Sequence, residues 1–254
     1  MSVTVCCLGN SIGSRVVPGL APSVKGWPAV ERMPHSYTNV TTTDGSTIIK
    51  SYQGPDAAQR CAREATMLSA LAGRLPVPPV LDRKEACLTL GFLPGVHGQE
   101  LIDSGMAQPV LDACGRMLRR IHSVGLSAVP VVTPRSSSSV LVHGDYGPQN
   151  VLLDPTAGDI TAVVDWEWAH AGDRLEDLSW CEWIIRMHHP EHVRSFGRFF
   201  DAYGEHPAWA ARHHAMIARC RALLAMPKQR DPEGRVDGPR VTVAYRSRPL
   251  LMAH

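Results

Sequence analysis

The stretch from Leu141 to Glu167 constrains this chain more than any other part of it. It runs Leu141-Val142-His143-Gly144-Asp145-Tyr146-Gly147-Pro148-Gln149-Asn150 and, further on, Val163-Val164-Asp165-Trp166-Glu167. Three short apolar runs, Val140 to His143, Val151 to Leu153 and Ile160 to Val164, are separated by polar turns and read as strands. A carboxylate therefore follows one strand end, an amide stands five residues on, and a second carboxylate ends another strand. Phosphoryl transfer uses such a set: one group to orient an attacking hydroxyl and accept its proton, and oxygen ligands to hold Mg2+ on a triphosphate. On that chemistry Asp145 is the candidate base, and Asn150 and Asp165 are the candidate metal ligands. A neutral amide beside one carboxylate suits such a metal, because further negative charge would repel the phosphates.

The N-terminal half supplies complementary charge. Val40 to Thr43, Asp44-Gly45 and Thr47 to Tyr52 predict a β-hairpin closed by a two-residue turn. Gly54-Pro55-Asp56 starts a helix expected to run to about Ala72. Its apolar stripe passes through Cys61, Ala65, Leu68 and Leu71, and Glu64 lies on the same stripe. An inward carboxylate requires a cationic partner, and Lys50, the one charged residue of the preceding strand, is the candidate. Leu75 to Val80 reads as a rigid proline-rich connector, followed by a strand around Leu88 to Leu90 and a turn at Pro94-Gly95. A boundary between two lobes is placed there.

Beyond it the helical periodicity predicts helices at about Met106 to Ser123, Leu175 to Arg186, Glu191 to Tyr203 and Trp209 to Leu224. Ser136 to Ser139 forms a loop. Residues 1–31 read as a loosely ordered lead-in, and 228–254 as an atypical tail with a strand at Val241 to Tyr245. The expected domains are thus 1–93, 94–227 and the tail.

Charge and cysteine usage narrow the function classes. With 26 Lys and Arg against 24 Asp and Glu, the net charge of +2 gives no sign of a nucleic-acid or membrane partner. The seven cysteines include no C-x-x-C pair and are expected to be reduced, buried thiols. No signal-peptide pattern and no run of apolar residues long enough to span a bilayer is present, so a cytoplasmic location is expected. The sequence does not specify an oligomeric state.

With these motifs in place, the sequence from about Ser36 to Leu224 resembles the aminoglycoside phosphotransferase family, relatives of protein kinases that include choline kinases. The resemblance implies an α+β, bilobal protein-kinase-like fold: a small N-terminal β-sheet lobe with one helix, and a larger, mainly helical C-terminal lobe. It implies ATP or GTP and Mg2+ as cofactors, with Asp145 as base, Asn150 and Asp165 on the metal, and His143 bracing the loop. Lys50, paired with Glu64, would contact the phosphates. Gly91-Phe92-Leu93 looks like the hinge, with Gly91 and Leu93 the candidates for holding the purine. No G-x-G-x-x-G precedes Lys50; the loop there is Ser36-Tyr37-Thr38-Asn39, with Ser36 as the candidate phosphate contact.

The acceptor is expected to be a cationic small molecule. From His143 to Glu182 there are nine acidic residues and one basic residue, and an acceptor carrying ammonium groups needs carboxylates near its hydroxyls. Glu167, Asp173, Glu176 and Asp177 are the candidates, with Glu182 close behind. An aminoglycoside-type antibiotic heads the expectations; a metabolic kinase for a choline-like or sugar acceptor, and a silent binding module keeping the fold, stand beside it. Trp166, Trp168, Trp180 and Trp183 could stack on an acceptor, with packing the expectation for most of them.

Overall fold

The computed structural model describes residues 4–7, 31–32, 39–129, 133, 136–156, 158–225 and 241–244. Two short strands, β1 (Thr4–Cys7) and β2 (Glu31–Arg32), precede the hairpin of β3 (Asn39–Thr43) and β4 (Thr47–Tyr52). The turn is wider than the sequence predicts. Asp44, Gly45 and Ser46 connect the strands, and of these only Gly45 takes a positive φ, +86°. Asp44 is the reason: its Oδ1 accepts the backbone N–H groups of Ser46 at 2.9 Å and Thr47 at 2.7 Å, so a side chain closes the loop.

Helix α1 (Ala57–Leu71) follows as predicted, burying Cys61, Ala65, Leu68 and Leu71 along one stripe. Strands β5 (Val80–Lys84) and β6 (Cys87–Gly91) complete an antiparallel sheet in the order β2-β3-β4-β6-β5. On β4 the two-residue period puts Lys50 and Tyr52 on the same buried face. The proline-rich connector docks on this sheet through the Gly91 N–H, which donates to the Pro79 carbonyl at 2.9 Å.

The chain continues through β7 (Val96–His97), α2 (Gly98–Asp103) and α3 (Ala107–His122). Then come β8 (Val140–Val142), β9 (Val151–Leu153), β10 (Ile160–Val163) and β11 (His170–Gly172). Strand β9 lies between β10 and β7, while β8 pairs with β11. Both pairings are antiparallel, and they set the two chemistry-bearing segments side by side. The helical remainder is α4 (Arg174–His188), α5 (Gly197–Tyr203) and α6 (Trp209–Ala225). The single helix predicted from Glu191 to Tyr203 is divided, because Pro190–Phe196 winds as 3-10 turns before α5 begins.

Helix α3 is the centre of the main core. Leu111, Cys114, Leu118 and Ile121 are fully buried, and each such leucine contributes roughly 1.5–3 kcal/mol. A second cluster, Trp180, Trp183, Ile184, Met216 and Cys220, fills the contact between α4 and α6. The strand expected at 241–245 is present as β12 (Val241–Ala244), and it pairs antiparallel with β1, inside the segment read as a loose lead-in. The remaining lead-in and tail residues lie outside the described residues. Among the described residues no helix is long and apolar enough to cross a membrane.

Candidate active site

Lys50 connects the sheet to the 163–167 segment. Its Nζ donates to Glu64 Oε2 at 2.6 Å and to Asp165 Oδ1 at 2.8 Å. Glu64, on the buried stripe of α1, also accepts from the Tyr52 hydroxyl and from the Trp166 N–H at 3.2 Å. Burial alone would lower the Lys50 pKa, but the charges of Asp165 and Glu64 outweigh it and hold the ammonium protonated, well above the ordinary lysine range. Asp165 shows the converse. Burial would raise it, and Lys50 pulls it below the usual carboxylate range. Its backbone is left-handed, φ 67° and ψ 56°, a conformation a non-glycine residue holds only where its surroundings impose it.

The 143–150 loop is fixed from three sides. The His143 ring Nε2 lies 3.0 Å from the Val164 carbonyl, and the Val164 N–H donates to the Asn150 carbonyl at 3.0 Å, so the loop is tied to the residue preceding Asp165. Asp177 accepts the backbone N–H of His143 at 2.8 Å and of Gly144 at 2.9 Å. Gly144 has φ +84°, and a Cβ there would sit 2.6 Å from the Trp168 carbonyl oxygen, so the position is closed to any side chain.

Within that frame Asp145 is held by one donor on each oxygen. Asn150 Nδ2 donates to Oδ2 at 2.9 Å and Trp180 Nε1 to Oδ1 at 2.7 Å. Burial and the charge of Asp165 push the Asp145 carboxyl up to about 6, against the opposing effect of the Trp180 bond. It is ionised at neutral pH and more basic than an ordinary aspartate.

Three carboxylates, Glu64, Asp165 and Glu167, bring oxygens within 4.8 Å of one another. Two of them are already committed. Glu64 is held by Lys50 and Tyr52, and Glu167, fully buried, binds Arg60 Nη1 at 2.8 Å and the Asn39 amide at 3.2 Å. Asp165 is the member whose side chain stays 31% exposed. The Asn150 amide nitrogen is directed at Asp145, at both its carboxylate and its carbonyl, and its Oδ1 has no protein partner among the described residues. Asp165 and Asn150 thus offer oxygens that suit a hard cation.

The acidic run is placed differently from the expectation that it faces an acceptor. Glu167 lies against Arg60 and Asn39, beside Lys50, and is closed to any ligand. Asp177 is fully buried; besides the two loop N–H groups it meets His122 Nε2 at 3.2 Å, so it braces the loop. Burial would raise its pKa, and the bond from His122 and the charges of His122 and His143 lower it instead. Glu182 is buried between Arg186 and Arg212, each at 2.7 Å. Asp173 and Glu176 form the capping box of α4: Asp173 Oδ1 accepts the Leu175 N–H at 2.8 Å, and Glu176 Oε1 accepts the Asp173 N–H at 2.9 Å. Both remain exposed, and Glu176 also meets His170 at 3.0 Å.

Glu176 faces a cleft of about 300 Å3 beside the loop, lined also by Gly144, Trp180, Arg219 and alanines of α6. Gly91 uses its N–H on Pro79, while the Leu93 N–H has no partner among the described residues. Ser36 lies outside the described residues.

Sequence reading missed Arg60, Tyr52 and Arg219, and it missed the bond from the Trp180 N–H to Asp145. The first two were within reach of the argument that found Glu64: Arg60 is one helical turn before it on the same stripe, and Tyr52 shares the face of Lys50.

Comparison with known proteins gives a family and a fold. The sequence pattern of the phosphotransferase enzyme family matches residues 30–136 and 126–214. The viomycin phosphotransferase of Streptomyces vinaceus is 32% identical over 49% of this chain and 42% of its own length. Acyl-CoA dehydrogenase family member 10 of Mus musculus is 24% identical over 49% of this chain and 17% of its length. The chain therefore spans less than half the length of these curated relatives. Among solved structures, aminoglycoside phosphotransferase APH(3'')-Id from Streptomyces rimosus, in complex with ADP and streptomycin, superposes with a TM-score of 0.60 at 17% identity, covering 76% of this chain and 92% of that one. That likeness is one of fold.

Proposed function

The chain belongs to the phosphotransferase enzyme family, and we propose that it moves the γ-phosphate of ATP or GTP onto a hydroxyl of a small cationic acceptor, an antibiotic of the aminoglycoside or related type, and so confers resistance. One observation carries the reading: Lys50 binds Glu64 and Asp165 at once, while Val164, next to Asp165, is bonded to the loop that presents Asp145. A phosphate-binding cation, a candidate metal ligand and a candidate base are thereby fixed in one frame.

In this reading the purine lies along Gly91 to Leu93, meeting the Leu93 N–H, and the phosphates meet Lys50. The proposed division near residue 93 puts the nucleotide between the two lobes. Asp165 and Asn150 would hold Mg2+, which when bound neutralises charge on the phosphates. Asp145 accepts the proton of the acceptor hydroxyl as the oxygen–phosphorus bond forms and the bond to the β-phosphate oxygen breaks, releasing the nucleoside diphosphate. The proton then leaves Asp145 for solvent. Lys50 stays charged throughout and meets the developing negative charge.

The acceptor enters from the cleft lined by Glu176 and Trp180. Glu176 is the exposed carboxylate there, its oxygens shared with the Asp173 N–H and His170, and Arg219 is a cation on the same wall, which supports an acceptor with one ammonium near its reacting hydroxyl over a densely charged polycation. A transferred phosphate would place a dianion where a target-binding hydroxyl stood.

Incubation with ATP or GTP, Mg2+ and separate acceptors (kanamycin, streptomycin, viomycin, a macrolide and choline) tests this by mass spectrometry. A phosphorylated product from at least one antibiotic is expected. Product from choline alone would assign a metabolic role, and neither product nor magnesium-dependent nucleotide binding would contradict the proposal.

A further inference from the structure

Trp180 joins three parts of the site that are distant in sequence. Its indole N–H donates to Asp145 Oδ1 at 2.7 Å, so the two oxygens of that carboxylate are held by donors from different elements, Asn150 from the loop and Trp180 from α4. A carboxylate held at both ends has its plane fixed, while each oxygen keeps a lone pair for an incoming hydroxyl. The indole is itself immobilised. Trp183 stacks on it, with centroids 4.4 Å apart and planes 5° from parallel. The Arg219 guanidinium lies 5.5 Å from its ring centroid on α6, and the same guanidinium donates through Nη2 to the Gly144 carbonyl at 2.7 Å. Arg219 therefore links the indole and the backbone next to Asp145. Trp180 and Arg219 also line the cleft, so the wall of the cleft and the support of the base are the same residues.

From this geometry we infer that Trp180 is a positioning residue for the transfer, orienting the Asp145 carboxylate toward an acceptor in the cleft, with Trp183 and Arg219 clamping the indole in place. Packing alone requires only the ring; orientation requires the N–H. The inference rests on the reading of Asp145 as the base.

Trp180→Phe keeps an aromatic ring against Trp183 and removes the donor. Steady-state kinetics are measured with whichever acceptor of the panel above is phosphorylated, or with water as the acceptor through magnesium-dependent ATP hydrolysis. The expected result is a fall in kcat of about ten- to a hundredfold, with KM for the acceptor and affinity for the nucleotide within about twofold of wild type. Wild-type kcat in Trp180→Phe, or a rise in KM with kcat unchanged, would overturn the inference and leave Trp180 as cleft wall only. Arg219→Met, at a half-buried position outside the main core, decides the case should Trp180→Phe fail to fold: a several-fold drop in kcat is expected, and wild-type kcat contradicts the clamp. Asp145→Asn, assayed in parallel, separates the two levels. Its loss of turnover combined with wild-type kcat in Trp180→Phe refutes the positioning role alone, whereas wild-type turnover in Asp145→Asn refutes the base assignment and this inference with it.

Discussion

Two groups of carboxylates meet the 143–150 loop, one around Lys50 and one at the start of α4, and they end in opposite electrostatic states. At α4 the buried charges are balanced. Asp177 receives two backbone N–H groups and His122, and Glu182 lies between two arginines. Around Lys50 three carboxylates, Glu64, Asp165 and Glu167, share two cations, Lys50 and Arg60. The surplus of one carboxylate is felt across the cluster: burial and the charge of Asp165 push Glu167 above the usual carboxylate range, while Asp165, held low by Lys50, has the most open side chain of the three. A surplus of this kind beside a lysine is what a bound cation would offset. The difference lies in the partners, since in sequence the two groups look alike.

Breaking each group should therefore give different losses. Asp165→Ala removes the surplus charge, and magnesium should then no longer strengthen nucleotide binding in calorimetric titration; wild-type magnesium dependence would place the ion elsewhere. Asp177→Ala should instead cost about 3–5 kcal/mol of folding stability in denaturant unfolding, because two loop N–H groups and His122 lose a buried partner. A loss below about 1 kcal/mol would show that the loop is held without it. The acid limb offers a second reading of the same bond. The Asp177 pKa is lower folded than unfolded, so its contribution is present above the ordinary carboxylate range and lost as pH falls through the folded value. Asp177→Asn should show a weaker loss of stability below about pH 4 than wild type.

Smaller effects sharpen the contrast. Glu64→Gln keeps the shape of the α1 contact and removes one charge from Lys50, and should weaken nucleotide affinity by about tenfold, with wild-type affinity contradicting the pairing's role. Glu176→Gln sits at an exposed capping box and should change stability by no more than about 1 kcal/mol. A large unfolding effect there would mean that the α4 carboxylates are not as balanced as described.

Much of this was legible in the sequence because it depends on local periodicity. An inward carboxylate on the stripe of α1 required a cation, and Lys50 was the one available on the neighbouring strand. Asp145 and Asp165 could be placed because each follows a strand end, and Asn150 because it stands five residues after Asp145. The destinations of Glu167 and Asp177 were not legible, because a run of acidic residues does not reveal which tertiary partner each will meet. Arg60 is 107 residues from Glu167, and His143 is 34 from Asp177. Trp180 was hidden for the same reason: a tryptophan amid apolar helix positions reads as packing until the indole N–H is seen to meet Asp145. The hairpin turn was misjudged because an aspartate side chain can close a loop that Asp-Gly alone would make tighter.

Single-turnover transfer from magnesium-bound ATP by Asp145→Asn, measured alongside that variant's nucleotide affinity, decides whether Asp145 is the base. A rate lower by about 10²-fold or more is expected, with the affinity preserved. A variant that still transfers phosphate at the wild-type rate would contradict it.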